Sequence, residues 1–210
     1  MADVRVDISM SLDGYVAGPG PRSEAPLGDG GERLHEWAYK LRSFQAMHGR
    51  DGGEEGPDDD QLAAASKGVG AGVMGRGMFG GGHGPWDESW EGWWGDDPPF
   101  KWPIFVVTHH EREPLTLGDT TFTFVTGGVR SACEQAVAAA GKQDVSVSGG
   151  ANVIQQCLQA EAVDRLTIHL VPILLGGGVR LFDRHPPAAL EIADVVASPG
   201  VTHLAYRRAA

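Results

Sequence analysis

The sequence predicts an α/β fold in which a mixed, mainly parallel sheet is flanked by helices and ends in antiparallel strands. Short apolar runs, typical of buried strands, alternate with helical patterns through most of the chain. Two strand patterns then follow one another directly, joined by Ser198-Pro199-Gly200. Alternation of strands and helices favours parallel pairing, whereas the closing strands favour antiparallel pairing.

Each predicted strand depends on a short apolar or alternating run. In the first one, Val4, Val6, Ile8 and Met10 alternate with polar residues, which indicates one buried face. The predicted strands cover residues 4–10, 69–74, 104–108, 121–125, 144–148, 163–170, 189–197 and 201–207. We expect the last two to pair with each other through the turn between them.

Apolar residues spaced three to four apart predict the helices. Leu34, Trp37, Leu41 and Phe44 show this spacing and predict a single helix over residues 33–47. Further helices are predicted from Asp60 onwards, over residues 131–140 and over residues 151–158. The acidic residues Asp58 to Asp60 would complement the positive N-terminal end of the helix predicted from Asp60 onwards.

Two segments without a clear period are predicted as loops within a single domain of residues 1–210. Residues 48–60 are acidic and glycine-rich, so a mobile loop is expected there. Residues 85–102, the Trp-rich loop, contain five of the six tryptophans and are expected to be held in place by burial of those rings. Acidic residues in this loop argue against a surface that stacks nucleic-acid bases.

The composition is that of a globular protein, with 41% hydrophobic and 21% charged residues in a chain of 210. The net charge of −11 argues against nucleic-acid or anionic-membrane partners. The only cysteines, Cys133 and Cys157, are far apart and predict reduced, buried thiols rather than a disulfide framework. With no signal-like start and no apolar run of membrane-spanning length, a cytoplasmic location is expected.

The stretch 144–158 combines a strand pattern, the pair Gly149-Gly150 and an amphipathic helix pattern. The first N–H groups of such a helix have no helical acceptors, and with the helix dipole they favour an anion such as a phosphate. Glycine lets a ligand approach the backbone closely. A turn of this kind is more often purely structural, and the stretch is neither GxGxxG nor a P-loop.

Two other strand ends carry residues suited to a phosphate monoester. Arg76 follows a buried strand and a glycine, and Thr108 and His109 follow another buried strand. Ligands of open α/β sheets bind at the carboxyl ends of the strands, so these residues are expected to lie close to the Gly149-Gly150 turn. Arg76 could also be a solvated strand-end residue. His109 and its neighbour His110 have no ligand set with metal spacing, so no metal is predicted.

Five segments spread along the chain resemble the dihydrofolate reductase-like superfamily, and within it the riboflavin-biosynthesis reductase branch, the RibD C-terminal domain. The segments are ISMSLDGYVAG, GVMGRGMF, PIFVVTH, VSVSGGANVIQQCL and VDRLTIHLVPILLGGGVRLF. They occur in the order of that family. The resemblance implies NADPH bound on a mixed sheet, and a cis peptide between Gly149 and Gly150.

The resemblance also assigns residues to the parts of NADPH. The 2′-phosphate would be held by Arg76, Thr108 and His109, and the pyrophosphate by residues 149–153. Residues 16–18 would lie near the nicotinamide. The implied cofactor-binding set is Val16, Ala17, Gly18, Met74, Gly75, Arg76, Thr108, His109, Gly149, Gly150, Ala151, Asn152 and Val153.

By the same resemblance, the activity would be NADPH-dependent transfer of hydride to a C=N or C=O bond of a small pterin- or pyrimidine-like substrate. Tyr15 and the Trp-rich loop could cover a planar substrate, and Arg180 could meet a substrate phosphate. The proton donor would be a bound water, Asp13 or Glu36. Asp13 could instead only cap the turn it shares with Gly14.

Two further functions remain open at this stage: a binding protein that kept the fold without catalysis, and dihydrofolate reductase itself. The riboflavin branch also implies a homodimer. Its two-fold interface would be formed by the closing strands and the apolar run 170–175, while the glycine loop 176–178 would border the substrate cavity or that interface, or serve only as a tight turn.

Overall fold

The computed structural model describes residues 2–22, 24–183 and 188–209. Its strands are β1 Val4–Ser11, β2 Tyr15–Ala17, β3 Val69–Gly75, β4 Ile104–Val107, β5 Leu115–Leu117, β6 Thr120–Val125, β7 Asp144–Gly149, β8 Arg165–Val171, β9 Val179–Arg180, β10 Leu190–Ala197 and β11 Thr202–Arg208. Its α-helices are α1 Glu36–Tyr39, α2 Arg42–Met47, α3 Pro57–Ser66, α4 Arg76–Phe79, α5 Gly128–Ala140 and α6 Ala151–Gln159, and a 3-10 turn covers Gly31–Leu34.

The fold is the predicted α/β class. Nine strands form one mixed sheet in the order β10-β11-β8-β1-β7-β3-β4-β6-β5. The consecutive neighbours β1, β7, β3, β4 and β6 pair in parallel, while β5, β8, β10 and β11 make antiparallel pairs. The closing pair β10–β11 is therefore confirmed. Within the described residues, no helix is both long and apolar enough to cross a membrane.

The chain divides into two compact units. Unit 1 comprises the residues up to Val6 together with Gly68–Asp164, and unit 2 comprises Asp7–Lys67 and Arg165–Ala210. The expectation that residues 1–210 act as one domain stays a prediction. The cofactor residues predicted at strand ends all belong to unit 1, while Asp13, residues 16–18 and Glu36 belong to unit 2.

The apolar centre of unit 1 lies around β3, β4 and β6. Met74, Ile104, Val106 and Phe122 are completely buried there. Aromatic residues of the Trp-rich loop pack onto this cluster, with Trp94 stacked on Phe122 at a centroid distance of 6.0 Å. The predicted loop is therefore irregular in backbone but forms part of the core, as expected from burial of its rings. Also in unit 1, Cys133 and Cys157 are buried free thiols.

Unit 2 has its own apolar cluster. The first helical segment of this unit differs from the prediction. The expected helix 33–47 is broken into the 3-10 turn, α1 and α2. The break occurs because Leu41 is extended, with ψ of 147°, and bridges to Glu54. Arg42 donates its backbone N–H to the Glu54 carbonyl, so the chain at this point pairs with a distant segment rather than continuing the helix.

Four short elements were not predicted, and two helices, α3 and α5, begin three residues earlier than expected. Helix α3 starts at Pro57, with Asp58 to Asp60 in its first turn as the sequence indicated. Pro at the first helical position is favourable because its missing N–H would have no helical acceptor there. The unpredicted elements are α4, β5 and the β2–β9 pair. Mobility of residues 48–60 stays a prediction.

Candidate functional site

In unit 1, three neighbouring parallel strands end at the same edge and bring the predicted strand-end residues together. In register, Met74 of β3 lies opposite Gly149 of β7, and Gly75 lies opposite Val107 of β4. Arg76 follows Gly75, and Thr108 follows Val107. The Gly149-Gly150 turn, Arg76 and Thr108 therefore share one edge of the sheet, where ligands of α/β folds bind.

The Gly149-Gly150 turn connects β7 directly to α6, and its peptide is cis as the resemblance implies. The backbone N–H groups of Val153 and Ile154 both donate to the Gly150 carbonyl. The N–H groups of Ala151 and Asn152 belong to the first helical turn, where helical acceptors are missing. A Cβ built on Gly150 would have no atom within 4 Å, so the turn is open on that side.

Gly75 allows the end of β3 to approach the first turn of α6. A Cβ at this position would lie 2.8 Å from Cγ2 of Val153, closer than side chains pack. Val153 is itself buried, so its predicted place in the cofactor set is a packing position beneath the turn. Met74 is also completely buried. These two residues would shape the site rather than present polar groups to a ligand.

Arg76 is the first residue of the short helix α4, and its guanidinium lies over the Trp86 ring, with Cζ 3.8 Å from the ring centroid. Its Nη1 donates to the Gly84 carbonyl at 2.5 Å and its Nη2 to the Gly81 carbonyl at 3.4 Å. Its Nε is buried and has no hydrogen-bond partner among the described residues. Burial lowers the pKa of Arg76, and the nearby positive charge of Arg112 lowers it further.

Thr108 and His109 differ in exposure. Thr108 is buried, and its hydroxyl oxygen accepts a hydrogen bond from the backbone N–H of His110 at 3.2 Å. The hydroxyl is therefore placed by a local turn at the end of β4. His109 is exposed. The carbonyl of His110 accepts from the indole N–H of Trp86 at 2.9 Å, which connects this strand end to the ring that supports Arg76.

Arg112 was not identified from the sequence. Its side chain is only 4% exposed, and its Nη2 donates to the Glu88 carbonyl at 3.1 Å. Its Cζ lies 5.2 Å from the Trp86 centroid and 5.1 Å from the Phe124 centroid, and its Nη1 is buried without a partner in the described chain. It lies in the string Glu111–Glu113, where alternating charges indicate a solvated loop, so no sequence signal pointed to it.

In unit 2, Asp13 is held by several donors. Its carboxylate accepts from the Ser11 hydroxyl at 2.6 Å and from the backbone N–H groups of Gly176 and Leu175 at 2.8 and 3.1 Å. The Ser11 hydrogen bond, supported by the two backbone donors, lowers the pKa of Asp13 to about 2. Asp13 is therefore an anion at neutral pH and fixes the glycine loop 176–178. Its role as proton donor stays a prediction.

Arg180 and Tyr15 lie next to each other in the β2–β9 pair of unit 2. The Arg180 Cζ is 4.5 Å from the Tyr15 ring centroid, and its Nη2 donates to the Tyr15 hydroxyl at 3.0 Å. Its Nη1 donates to the Asp13 carbonyl at 3.1 Å. A cation, a phenol and a carboxylate are thus grouped around one turn, a set suited to orienting a polar planar molecule.

Residues 16–18 are closely packed by other backbone segments of unit 2. Val16 is buried, and Gly18 donates its N–H to the Leu27 carbonyl at 2.7 Å. Gly178 has a φ of +127°, and a Cβ there would lie 2.1 Å from the Ala17 carbonyl oxygen. Only glycine fits that position, which shows that the glycine loop is needed for close approach to β2.

Glu36 is exposed at the first residue of α1, and its catalytic role stays a prediction. Among the described residues, no group of three or more His, Cys, Asp and Glu side chains is arranged to hold a metal. The roles assigned to the cofactor-binding set likewise stay predictions, although the structure places its unit 1 members at one sheet edge.

This strand order, with a glycine turn at the carboxyl edge, is that of the dihydrofolate reductase-like fold. A dihydrofolate reductase from Enterococcus faecalis, solved with NADP(H), superposes with a TM-score of 0.53 at 12% identity, covering 98% of this chain and 96% of that one. A protein from Shewanella sp. PV-4, described as a riboflavin biosynthesis protein, superposes with a TM-score of 0.64 at 24% identity, covering 100% of both chains.

The chain belongs to the RibD C-terminal domain family, whose sequence model matches residues 2–204. This family is a reductase family that reduces a pyrimidine in riboflavin biosynthesis. A deaminase/5-amino-6-(5-phosphoribosylamino)uracil reductase from Thermotoga maritima has a TM-score of 0.54 and 14% identity, covering 99% of this chain and 57% of that one. No curated protein sequence matches this chain significantly.

Proposed function

We propose that this protein is an NADPH-dependent reductase that transfers hydride to a C=N or C=O bond of a small pterin- or pyrimidine-like heterocycle. The observation that carries the proposal is the shared sheet edge of unit 1, where the Gly149-Gly150 turn, Arg76 and Thr108 come together. Backbone donors suit a pyrophosphate, and a guanidinium beside a hydroxyl suits a phosphate monoester. A 2′-phosphorylated dinucleotide contains both groups.

The residues present fit such a cofactor. The Nε of Arg76 is a buried donor without a partner among the described residues, and Gly150 leaves open space beside the turn. Arg76 and Thr108 would hold the 2′-phosphate with His109 beside them, and the first turn of α6 would hold the pyrophosphate. When bound, NADPH supplies the hydride, while the protein orients the reacting groups and excludes water.

Asp13, Tyr15 and Arg180 are the polar groups that we propose for the substrate side. The Asp13 carboxylate, with a pKa of about 2, would act as a fixed acceptor that orients an N–H of the heterocycle. Arg180 would meet an anionic substituent such as a phosphate. The proton that completes the reduction would come from a bound water or from Glu36, with Asp13 as the third option.

We also propose a cytoplasmic homodimer formed through β10. This strand lies at the edge of the nine-stranded sheet, and Leu190, Ile192 and Val195 are 43%, 69% and 50% exposed. An exposed apolar edge strand is a template for pairing with a second copy. Light scattering should give twice the chain mass for the wild type. Ile192→Lys should give the monomer, whereas the control Glu191→Lys should remain dimeric, and a monomeric wild type contradicts this part.

A second candidate is a protein that binds NADPH or a planar small molecule without catalysis. The observation favouring it is that Asp13, the carboxylate nearest the proposed substrate groups, is fixed as an anion by three donors. A group with a pKa of about 2 is a poor proton donor at neutral pH. Steady NADPH oxidation with any pterin or pyrimidine substrate would exclude this candidate.

The first experiment is a fluorescence titration of the purified protein with NADPH and with NADH. We expect NADPH to bind more tightly, because only NADPH carries the 2′-phosphate. Arg76→Ala should weaken NADPH by about 10- to 100-fold, since a charge-assisted hydrogen bond contributes about 1.5–3 kcal/mol. NADH should change little. Absence of binding at millimolar concentrations of both would overturn the proposed reductase, and equal weakening would remove Arg76 from the site.

A further inference from the structure

The strongest unexplained feature of unit 1 is a pair of arginines on one tryptophan, the half-buried Arg76 and the buried side chain of Arg112. Arg76 and Arg112 both lie within cation–π distance of Trp86, at 3.8 and 5.2 Å from its centroid. Each also has one buried N–H group without a partner among the described residues, Nε of Arg76 and Nη1 of Arg112. Burying an unpaired charged donor is costly, so two of them around one ring call for a partner.

The two arginine charges around Trp86 are offset only by exposed carboxylates in the described part of unit 1, Asp87 and Glu88. Glu88 is the one carboxylate that pairs with either arginine in the described chain, at 3.5 Å from Nε of Arg112, and its side chain is 73% exposed. An exposed carboxylate offsets little of the charge of a buried guanidinium. The remaining acceptors are neutral carbonyls of residues 81, 84, 85 and 88. The two guanidiniums therefore share one ring, and the only carboxylates near them in the described chain are exposed and screened by solvent.

The arginines are also positioned by the same short loop. Carbonyls of residues 81, 84 and 85 accept from Arg76, and the carbonyl of residue 88 accepts from Arg112, while the Trp86 ring lies near both guanidiniums. The indole N–H of Trp86 is fixed on the His110 carbonyl, next to Thr108. The two unpaired N–H groups are thus held by the loop rather than free to turn towards water.

We propose that Arg112 is a second cation of the phosphate site, which binds the 2′-phosphate together with Arg76 against the wall formed by Trp86. This inference rests on the proposed function, because the anion is taken to be the phosphate monoester of NADPH. Two guanidiniums can share one phosphate, which has three acceptor oxygens. Arg112 would then set the preference for NADPH over NADH, a role that a residue serving only the loop would not have.

The experiment compares the affinities of wild type, Arg112→Met and Arg112→Lys for NADPH and NADH. We expect Arg112→Met to weaken NADPH by about tenfold or more with NADH changed less than about twofold. Arg112→Lys keeps the charge but not the guanidinium's set of donors. Its NADPH affinity should lie between those of the wild type and Arg112→Met. Lys142→Met, an exposed change of the same charge just before β7 begins, at the opposite edge of the sheet, is the matched control and should leave both affinities unchanged.

A second probe separates the outcomes. We would titrate 2′-AMP and 5′-AMP into each variant, with circular dichroism and Tm checking that each is folded. Preferential loss of 2′-AMP binding in Arg112→Met supports the proposal. If wild type prefers NADPH but Arg112→Met weakens both nucleotides equally, or neither, Arg112 only supports the Trp-rich loop and this inference fails alone. If wild type binds neither dinucleotide nor 2′-AMP, the proposed function fails with it.

Discussion

Two polar clusters, one in each unit, satisfy their hydrogen bonds very differently. In unit 2, Nδ1 of His169 lies 2.7 Å from Nδ1 of His203, and Nε2 of His203 lies 3.1 Å from Oδ1 of Asp58. Since Asp58 can only accept, Nε2 of His203 donates to it, and one proton lies between the two Nδ1 atoms. Around Trp86 in unit 1, by contrast, Arg76 and Arg112 each keep a buried N–H without a partner.

The difference indicates what each cluster is for. The chain His169–His203–Asp58 has a donor facing an acceptor at each contact, and Asp58 accepts a further hydrogen bond from the Ser198 hydroxyl at 2.9 Å. This chain of hydrogen bonds joins β8, β11 and α3, and no ligand is needed to complete its contacts. The arginine pair has unpaired donors and only exposed carboxylates near it in the described chain, which are features of a binding site. We therefore expect the first cluster to control stability and the second to control affinity.

The largest expected effect is acid sensitivity of unit 2. Burial, reinforced by the neighbouring His203 and His35, lowers the pKa of His169 to about 3 from its usual 6.5. Between these values the unfolded chain binds a proton that the folded chain does not. The free energy of unfolding should therefore be highest above pH 6.5 and fall by about 3–5 kcal/mol as the pH drops towards 3. Chemical denaturation at a series of pH values measures this.

The matched variant for the acid effect is His169→Asn, which keeps a side-chain N–H near His203 but cannot titrate. Its free energy of unfolding should depend on pH less steeply, by up to about 1.4 kcal/mol per pH unit between pH 6 and 4. Burial also lowers the pKa of His35, so some slope of the same sign should remain. Identical slopes in the wild type and the variant would show that His169 is not the group responsible.

A smaller effect on the free energy of unfolding is expected when Asp58, the acceptor at the end of this hydrogen-bond chain, is replaced. Asp58→Ala leaves the His203 Nε2–H and the Ser198 hydroxyl without their acceptor, which should lower the free energy of unfolding by about 2 kcal/mol. Asp58→Asn keeps an acceptor oxygen and should cost about half as much. The NADPH affinity of both variants should equal that of the wild type. A fall in NADPH affinity without a fall in stability would break the division of roles between the two clusters.

The sequence predicted the fold and the strand ends because those features are local. Buried parallel strands such as β3 and β4 are short apolar runs, and Arg76 and Thr108 follow them directly, so strand pairing alone brings them to one edge. The cis peptide at Gly149-Gly150 came from the family resemblance and not from the residues themselves. Neither source tests the individual cofactor contacts, which remain predictions.

What the sequence missed depends on long-range contacts. The helix expected over residues 33–47 is interrupted because Leu41 pairs with Glu54, and a helical period contains no information about that partner. Arg112 lies between two glutamates, a pattern typical of a solvated loop, yet aromatic rings from three distant segments enclose it. The His169–His203 contact likewise joins residues 34 apart on neighbouring strands, and only strand register places them side by side.

The smallest effect is expected at Trp86, where substitution tests whether the ring positions the two arginines of unit 1. Trp86→Phe keeps an aromatic face for Arg76 but loses the hydrogen bond to the His110 carbonyl, so it should lower Tm slightly and keep the preference for NADPH over NADH. Trp86→Leu removes the face as well. A cation–π contact between partly exposed groups contributes about 0.5–1 kcal/mol, so the preference should fall by about two- to fivefold. Paired NADPH and NADH titrations measure it. An equal preference in the Phe and Leu variants would mean that the ring does not position the arginines, and the unpaired donors around it would then need another explanation.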